Sequence, residues 1–159
     1  MEIERKYLIS SPPADIESYP CRMIEQGYLS TAPVVRIRRD NDEYILTYKS
    51  KGLMVREEYD LPLTKESYEH LKTKIDGRLI RKHRYMIPLD DVLTIELDLF
   101  DGDLAPLMLA EVEFPTEEMA NSFIPPAWFG EDVTYSTDYH NSRLSFKTGS
   151  PPYNHRSYF

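Results

Sequence analysis

The chain has 159 residues, enough for one domain with a real core, and its 41% hydrophobic and 29% charged content is that of an ordinary soluble protein. Its formal net charge of −8 argues against a generic binder of nucleic acid or of anionic membrane, either of which would carry a basic excess. A small anionic substrate stays open, because a local basic pocket or a bound metal can invert the field.

In chain order, 2–9 (EIERKYLI) alternates and reads as a strand that Ser10 to Pro13 breaks. Strands follow at 22–30 and 34–40, with a turn around Thr31-Ala32-Pro33. Asn41-Asp42 joins 34–40 to 43–50 as a hairpin. Gly52 leads into a strand over 54–62. Thr64 caps a helix over 65–76 that Asp76-Gly77 stops. The pattern returns to strand at 78–87, 92–100 and 107–115. Thr116 caps a short helix through about 123, ended by Ile124-Pro125-Pro126, and a second short helix spans Asn141 to Phe146. The segment 1–146 reads as one domain, and 147–159 as a polar, flexible tail. The expected fold is mainly β (α+β), with about eight strands and short turns, an antiparallel sheet that closes or nearly closes.

Three strands read acid-x-acid: Glu2-Ile3-Glu4, Glu96-Leu97-Asp98 and Glu111-Val112-Glu113. Residues two apart on a strand share a face. Two such carboxylates, roughly 7 Å apart, repel by about 0.6 kcal/mol in water and about 2.4 kcal/mol at an effective dielectric of about 20. Three pairs call for a cation. Marking charges by strand parity adds Lys6 to the first strand, then Arg36 and Arg38, Lys49, then Arg56, Glu58 and Asp60, then Arg78, Lys82 and Arg84. The opposite parity is mostly apolar, as in Ile3, Ile37, Val55, Ile95, Leu97 and Val112; Arg5, Arg81 and His83 break the pattern.

A half-buried antiparallel sheet also shows polar residues on its solvent face. Here the face is nearly all ionised, and the signs segregate by strand where cross-strand neighbours on an open face would alternate. A closed sheet would turn these groups into a lumen sized for side chains or one small ligand. Buried charges need partners, and a divalent metal with a polyanion would neutralise both sets. The single cysteine, Cys21, excludes a disulfide framework or a thiolate site, so oxygen would hold such a metal: Mg²⁺, Mn²⁺ or Ca²⁺. No signal peptide and no membrane-spanning run is visible, so the expected location is the cytoplasm.

MEIERKYLI resembles the E-x-E-x-K signature of the CYTH domains, the triphosphate tunnel metalloenzymes, and VRIRR, the lysine of LTYKS, VREEYD, RKHRY, TIELDLFDG, LAEVEFP, WFGEDVT and YHNSRLS continue the likeness in order over residues 1 to 146. QGYL (Gln26 to Leu29) strengthens the similarity to short bacterial inorganic tripolyphosphatases. The resemblance implies a closed eight-stranded antiparallel β-barrel (tunnel) with a few flanking helices. It implies that Glu2, Glu4, Glu111 and Glu113 hold divalent cations, Mg²⁺ or Mn²⁺, with Glu96, Asp98 and Glu58 in or near that shell. Arg36, Arg38, Lys49, Lys82 and Arg84 would bind phosphate oxygens. Lys6, its pKa lowered if cations and burial outweigh the carboxylates, would pair with Tyr28 to activate water.

Asp138 stands where the family often has a basic residue before its tyrosine. His70, His140 and His155 show no ligand spacing, Trp128 reads as a packing residue, and Glu57, Arg81 and His83 read as surface. By resemblance homodimers are common among such tunnels, though no stripe here marks one. The expected activity is hydrolysis of inorganic tripolyphosphate or another triphosphate. The alternatives are a class IV adenylate cyclase, a thiamine triphosphatase, a nucleoside triphosphatase, a non-catalytic polyphosphate or nucleotide sensor, or a β-barrel interaction module.

Overall fold

The computed structural model describes residues 1–145, so Phe146, His155 and the expected tail over 147–159 lie outside the described residues. Nine antiparallel strands run β1 (Glu2–Leu8), β2 (Cys21–Thr31), β3 (Val34–Asp40), β4 (Glu43–Lys49), β5 (Val55–Arg56), β6 (Glu58–Pro62), β7 (Asp76–Pro88), β8 (Thr94–Phe100) and β9 (Met108–Glu113). Their spatial order is β5-β1-β9-β8-β7-β2-β3-β4-β6. Strands β5 and β6 are the single expected strand over 54–62, interrupted at Glu57. One piece pairs with β1 and the other with β4. That broken strand brings the two ends of the sheet together, and the eight expected strands become nine by this one interruption.

The strands form where apolar and charged residues alternate, and each side of the alternation finds its own surroundings. On the outer face of β1, β8 and β9, Ile3, Ile95, Leu97, Ala110 and Val112 pack into one cluster with Ile9, Ile16, Ile87 and Phe114. Each buried aliphatic there contributes about 1.5–3 kcal/mol. Helix α2 (Glu117–Asn121) and the aromatics Phe123, Trp128 and Phe129 cover this cluster. Trp128 meets Phe129 edge-on at 4.7 Å, in the packing role read from the sequence.

The inner face changes character along the strands. Continuing the inward parity one step past Lys6, Lys82, Asp98 and Glu111 gives Leu8, Ile80, Phe100 and Leu109. These join Leu104, Leu107, Val133, Tyr139 and Leu144 in a second apolar cluster. One end of the barrel is therefore filled by side chains, and the charged residues line a pocket above that plug.

Turns and caps follow local chemistry. Asn41 takes φ +52 in the β3–β4 hairpin, a left-handed conformation that Asn tolerates, and its Oδ1 accepts from the Met23 amide at 2.9 Å. Thr64 caps helix α1 (Lys65–Lys72) by accepting from the Ser67 amide at 3.0 Å. The helix ends at Lys72, with Thr73 as its C-cap, rather than at 76. Asp76 instead opens β7 opposite Tyr28 of β2, so sheet pairing claims the residues expected in its last turn. Thr116 caps α2 through the Met119 amide at 3.1 Å, and the last short helix, α3, covers Asn141–Leu144. Among the described residues, no helix is long and apolar enough to cross a membrane.

Strand β2 is irregular around Gly27. A Cβ there would lie 2.9 Å from Ile75 Cγ2, so only glycine admits this approach. The β2–β7 register shifts between Gln26 and Tyr28. Beyond that shift Arg78 leaves the inward face expected of it. Its guanidinium donates to the Leu144 carbonyl at 3.0 Å and meets Asp103 at 3.5 Å.

Candidate active site

The strand order sorts the inward charges by sign. Glu2 and Glu4 on β1, Glu111 on β9 and Glu96 with Asp98 on β8 occupy adjacent strands. Lys82 and Arg84 on β7, Arg36 and Arg38 on β3 and Lys49 on β4 form the facing cationic arc, interrupted by Gln26 and Tyr28 on β2. Cross-strand register sets these contacts. Glu96 lies opposite Glu111 and Lys6 opposite Glu111, while Tyr28 faces Arg36 and Lys49 faces Glu58.

One pocket is lined by Glu2, Glu4, Lys6, Tyr28, Arg36, Arg38, Lys49, Glu58, Arg84, Glu96 and Glu111, together with Val34, Arg56, His140 and Asn141. Most of the expected site residues thus converge. Lys82 and Asp98 lie one step nearer the plug and do not line it. Their ammonium and carboxylate stand 2.6 Å apart, with both side chains fully buried. Glu113 is exposed and lines a shallower outer depression with Thr94 and Pro115. It lies opposite Glu4 of β1, and burial with the charges of Glu2, Glu96 and Glu58 raises its pKa, so it stands at the rim of the same carboxylate group.

Opposite charges pair within the pocket. Lys49 Nζ lies 3.0 Å from Glu2 Oε1 and 3.5 Å from Glu58 Oε1. Arg84 donates to both Asp98 oxygens, at 2.7 and 2.9 Å, in a forked contact, and approaches Glu96 at 3.5 Å. Arg38 grips Gln26 Oε1 at 2.8 and 3.0 Å. Arg36 donates to Thr47 Oγ1, which itself donates to Asp60. Lys6 Nζ donates to the Tyr139 carbonyl at 3.2 Å and stands 3.8 Å from Glu111.

These surroundings set the protonation states. Burial, then the charges of Glu111 and Glu2, push Glu4 well above the usual carboxylate range. Burial would raise Glu111 too, but Lys6, Arg84 and Lys82 outweigh it and hold that carboxyl well below the usual range. Burial works to lower the Lys6 ammonium, yet Glu111 and Glu4 prevail and raise it. The carboxylates outweigh burial and the nearby cations, so the condition for a lowered Lys6 pKa is not met in the metal-free chain. Lys82 shows the opposite balance. Burial, with Arg84 and Arg38 nearby, pulls it down to about 8 despite Asp98.

The acids also bear on the metal. Among the described residues, no three His, Cys, Asp or Glu side chains gather tightly enough to hold an ion by themselves. The seven-carboxylate shell expected from the sequence is thus divided. Asp98 is taken by Lys82 and Arg84, Glu2 and Glu58 share Lys49, and Glu113 stands at the exposed rim. Glu2, Glu4, Glu96 and Glu111 line the pocket together. Glu4, driven toward its protonated form by its neighbours, is a carboxylate short of a cation. This all-oxygen arrangement fits a hard divalent cation. Mg²⁺ keeps several waters and is held by one or two carboxylates plus substrate phosphates.

A family model for the CYTH domain matches residues 1–143. The chain belongs to the CYTH domain family. It is 43% identical over 148 residues to a Nitrosomonas europaea protein named inorganic triphosphatase, covering 91% of this chain and 96% of the relative. An Acetivibrio thermocellus protein of the same name is 34% identical over 152 residues, covering 90% and 92%. The crystal structure of an inorganic triphosphatase superposes with a TM-score of 0.70 at 39% identity, over 94% of this chain and 97% of that one. A Pyrococcus horikoshii protein, 21% identical with a TM-score of 0.56 over 74% and 80%, shares the fold alone.

Within this CYTH chain, the residues read as out of phase do lie outside the pocket. Arg81 pairs with Glu25 at 3.0 Å, His83 Nδ1 stands 3.2 Å from Asp101, and Glu57 is exposed. Asp138 takes Arg143 at 3.4 Å and does not line the pocket. The sequence missed His140 and Asn141. Ligand spacing gave no reason to single out His140, because its neighbours in the site come from β1, β4 and β5 rather than from its own segment. Their signal was the position of YHNSRLS at the end of the ordered motif set.

Proposed function

We propose that this chain hydrolyses inorganic tripolyphosphate in its plugged, charge-sorted pocket, using Mg²⁺ or Mn²⁺. The observation that carries the reading is the division of one closed-ended pocket into an acidic arc and a cationic arc. The names of its relatives, inorganic triphosphatases at 43% and 34% identity over nearly the whole chain, support the same activity. In this reading Glu2, Glu4 and Glu111 hold the metal, which supplies charge neutralisation at the phosphate oxygens. Arg36, Arg38, Arg84 and Lys49 bind the phosphates, and the guanidiniums do so as forks. Before substrate enters, the acids and cations neutralise one another; metal and polyanion each take one set.

Water attacks a terminal phosphorus, its O–P bond forms, and the bridging P–O bond breaks with its electron pair leaving on pyrophosphate. Fixed cations along the pocket stabilise the charge spreading over the transferred group. Tyr28, beside Lys6, positions the water, and Lys6 remains a protonated ammonium that stabilises charge. The proton released by the attacking water passes to a phosphate oxygen of the substrate. The compartment consistent with this reading is the cytoplasm.

Phosphate release from tripolyphosphate, ATP and thiamine triphosphate, each with Mg²⁺, Mn²⁺ or chelator, tests the proposal. Turnover should be fastest on tripolyphosphate and absent with chelator. Preference for ATP, or cyclic AMP formation, would replace it with another CYTH activity.

A further inference from the structure

Resting on the triphosphatase reading, we propose that His140 and Asn141 form a hydrogen-bonding clamp on the outermost phosphate of the substrate. Both side chains line the charged pocket. His140 also borders the wider depression in the surface formed by Pro33, Tyr48, Lys51 and Leu53, so it stands where the pocket opens. The plug closes the other end, so the pair stands on the open side of the pocket.

The segment carrying the pair is fixed to the site rather than laid loosely over it. The Lys6 amide donates to Thr134 Oγ1 at 3.0 Å, and the Val133 amide donates to the Lys6 carbonyl at 2.9 Å. Lys6 Nζ reaches the Tyr139 carbonyl, one residue before His140. Leu144, four residues after His140, is sealed into the plug.

The chemistry of the two side chains suits a phosphate oxygen. Burial, then the charges of Lys6 and Arg56, pull His140 down to about 4, so its imidazole is neutral at physiological pH and offers one N–H. Asn141 Oδ1 is buried and has no hydrogen-bond partner. Asn141 lines the same pocket, and its amide N–H₂ supplies two further donors. The guanidiniums deeper in the pocket make charge-assisted contacts, roughly twice as strong as neutral ones. A neutral pair at the mouth selects the position of the last phosphate without holding the released phosphate as tightly.

Steady-state kinetics on tripolyphosphate with Mg²⁺ tests the clamp, using His140→Ala, Asn141→Ala, His140→Gln and Asn141→Ser. Each alanine variant should raise KM about fivefold or more while kcat stays within about threefold. His140→Gln, which keeps a neutral donor, should return KM to within about twofold of the parent. If the alanine variants fail to fold by thermal melt, the milder pair is expected to show an intermediate rise for Asn141→Ser alone. Unchanged KM in all variants beside an active parent would overturn the clamp and leave the triphosphatase reading standing. So would a loss confined to kcat. A parent that does not turn over tripolyphosphate would remove the reading and the clamp together.

Discussion

Lys82 Nζ lies 2.6 Å from Asp98 Oδ2, and neither side chain reaches solvent. Asp98 also accepts both forks of Arg84, so one carboxylate neutralises two buried cations. The pair sits between the apolar plug, where Lys82 lies 5.2 Å above the Phe100 ring, and the open pocket. The Coulomb attraction must offset the cost of burying all three ions.

That arrangement is asymmetric, and stability should show it. Asp98→Asn strands two cations and should cost about 3–5 kcal/mol. Lys82→Met leaves the Arg84–Asp98 fork intact and should cost distinctly less. Urea denaturation of both variants measures the difference; equal losses would mean that Asp98 does not organise the cationic arc.

Lys6 and Tyr28 set the catalytic predictions. Lys6→Ala and Tyr28→Phe should each cut kcat on tripolyphosphate about 100-fold, with smaller effects on KM. Phosphate release at saturating substrate measures this, and an unchanged kcat would remove the pair from water activation.

Metal affinity should depend on pH through Glu4. Burial with Glu111 and Glu2 raises its pKa, so in the metal-free chain it still carries a proton at a pH where an ordinary glutamate has lost one. The metal competes with that proton, so affinity should rise with pH up to the raised pKa. Glu4→Gln should flatten the dependence. The Mg²⁺-induced shift in melting temperature, followed from acid to neutral pH, reads it without any turnover. The metal-free chain should lose stability over the same interval, as Glu4 is forced to ionise; an increase in stability there would contradict the raised pKa.

Outside the barrel, Glu25 accepts from the Tyr68 hydroxyl at 2.9 Å and pairs with Lys72 and Arg81, each at 3.0 Å. Glu25→Ala should cost about 1–2 kcal/mol, because it leaves the hydroxyl of buried Tyr68 only the longer 3.4 Å bond to the Glu25 carbonyl. Its kcat and KM on tripolyphosphate should match the parent, since the glutamate faces away from the pocket. A large change in kcat would mean that α1 communicates with the site.

Much of this was legible in the sequence because strand parity is local. The alternation in EIERKYL fixes Glu2, Glu4 and Lys6 on one face wherever the strand lies. The same rule aligned Arg36 with Arg38 and Glu96 with Asp98, and the turn and cap residues Asn41, Thr64 and Thr116 marked element ends. Parity failed where the backbone departs from it. The register shift beside Gly27 released Arg78, and the pairing of Asp76 with Tyr28 shortened α1. His140 and Asn141 were missed for the complementary reason: Lys6, Lys49 and Arg56 beside them in the site are more than eighty residues away in the chain, and nothing in local spacing records that.

The sequence by itself determined which charges share a face on each strand, and the ordered motifs determined the family. The tertiary structure alone decided which strands became neighbours. It gathered β1, β9 and β8 into an acidic arc opposite β7, β3 and β4, and it closed one end with Leu8, Ile80, Phe100 and Leu109. It also decided how the acids divide, with Asp98 held by two cations and Glu4 left short of one. Side-chain phase follows from two successive peptide units, whereas pairing, burial and pKa depend on the charges that distant strands bring within a few ångströms.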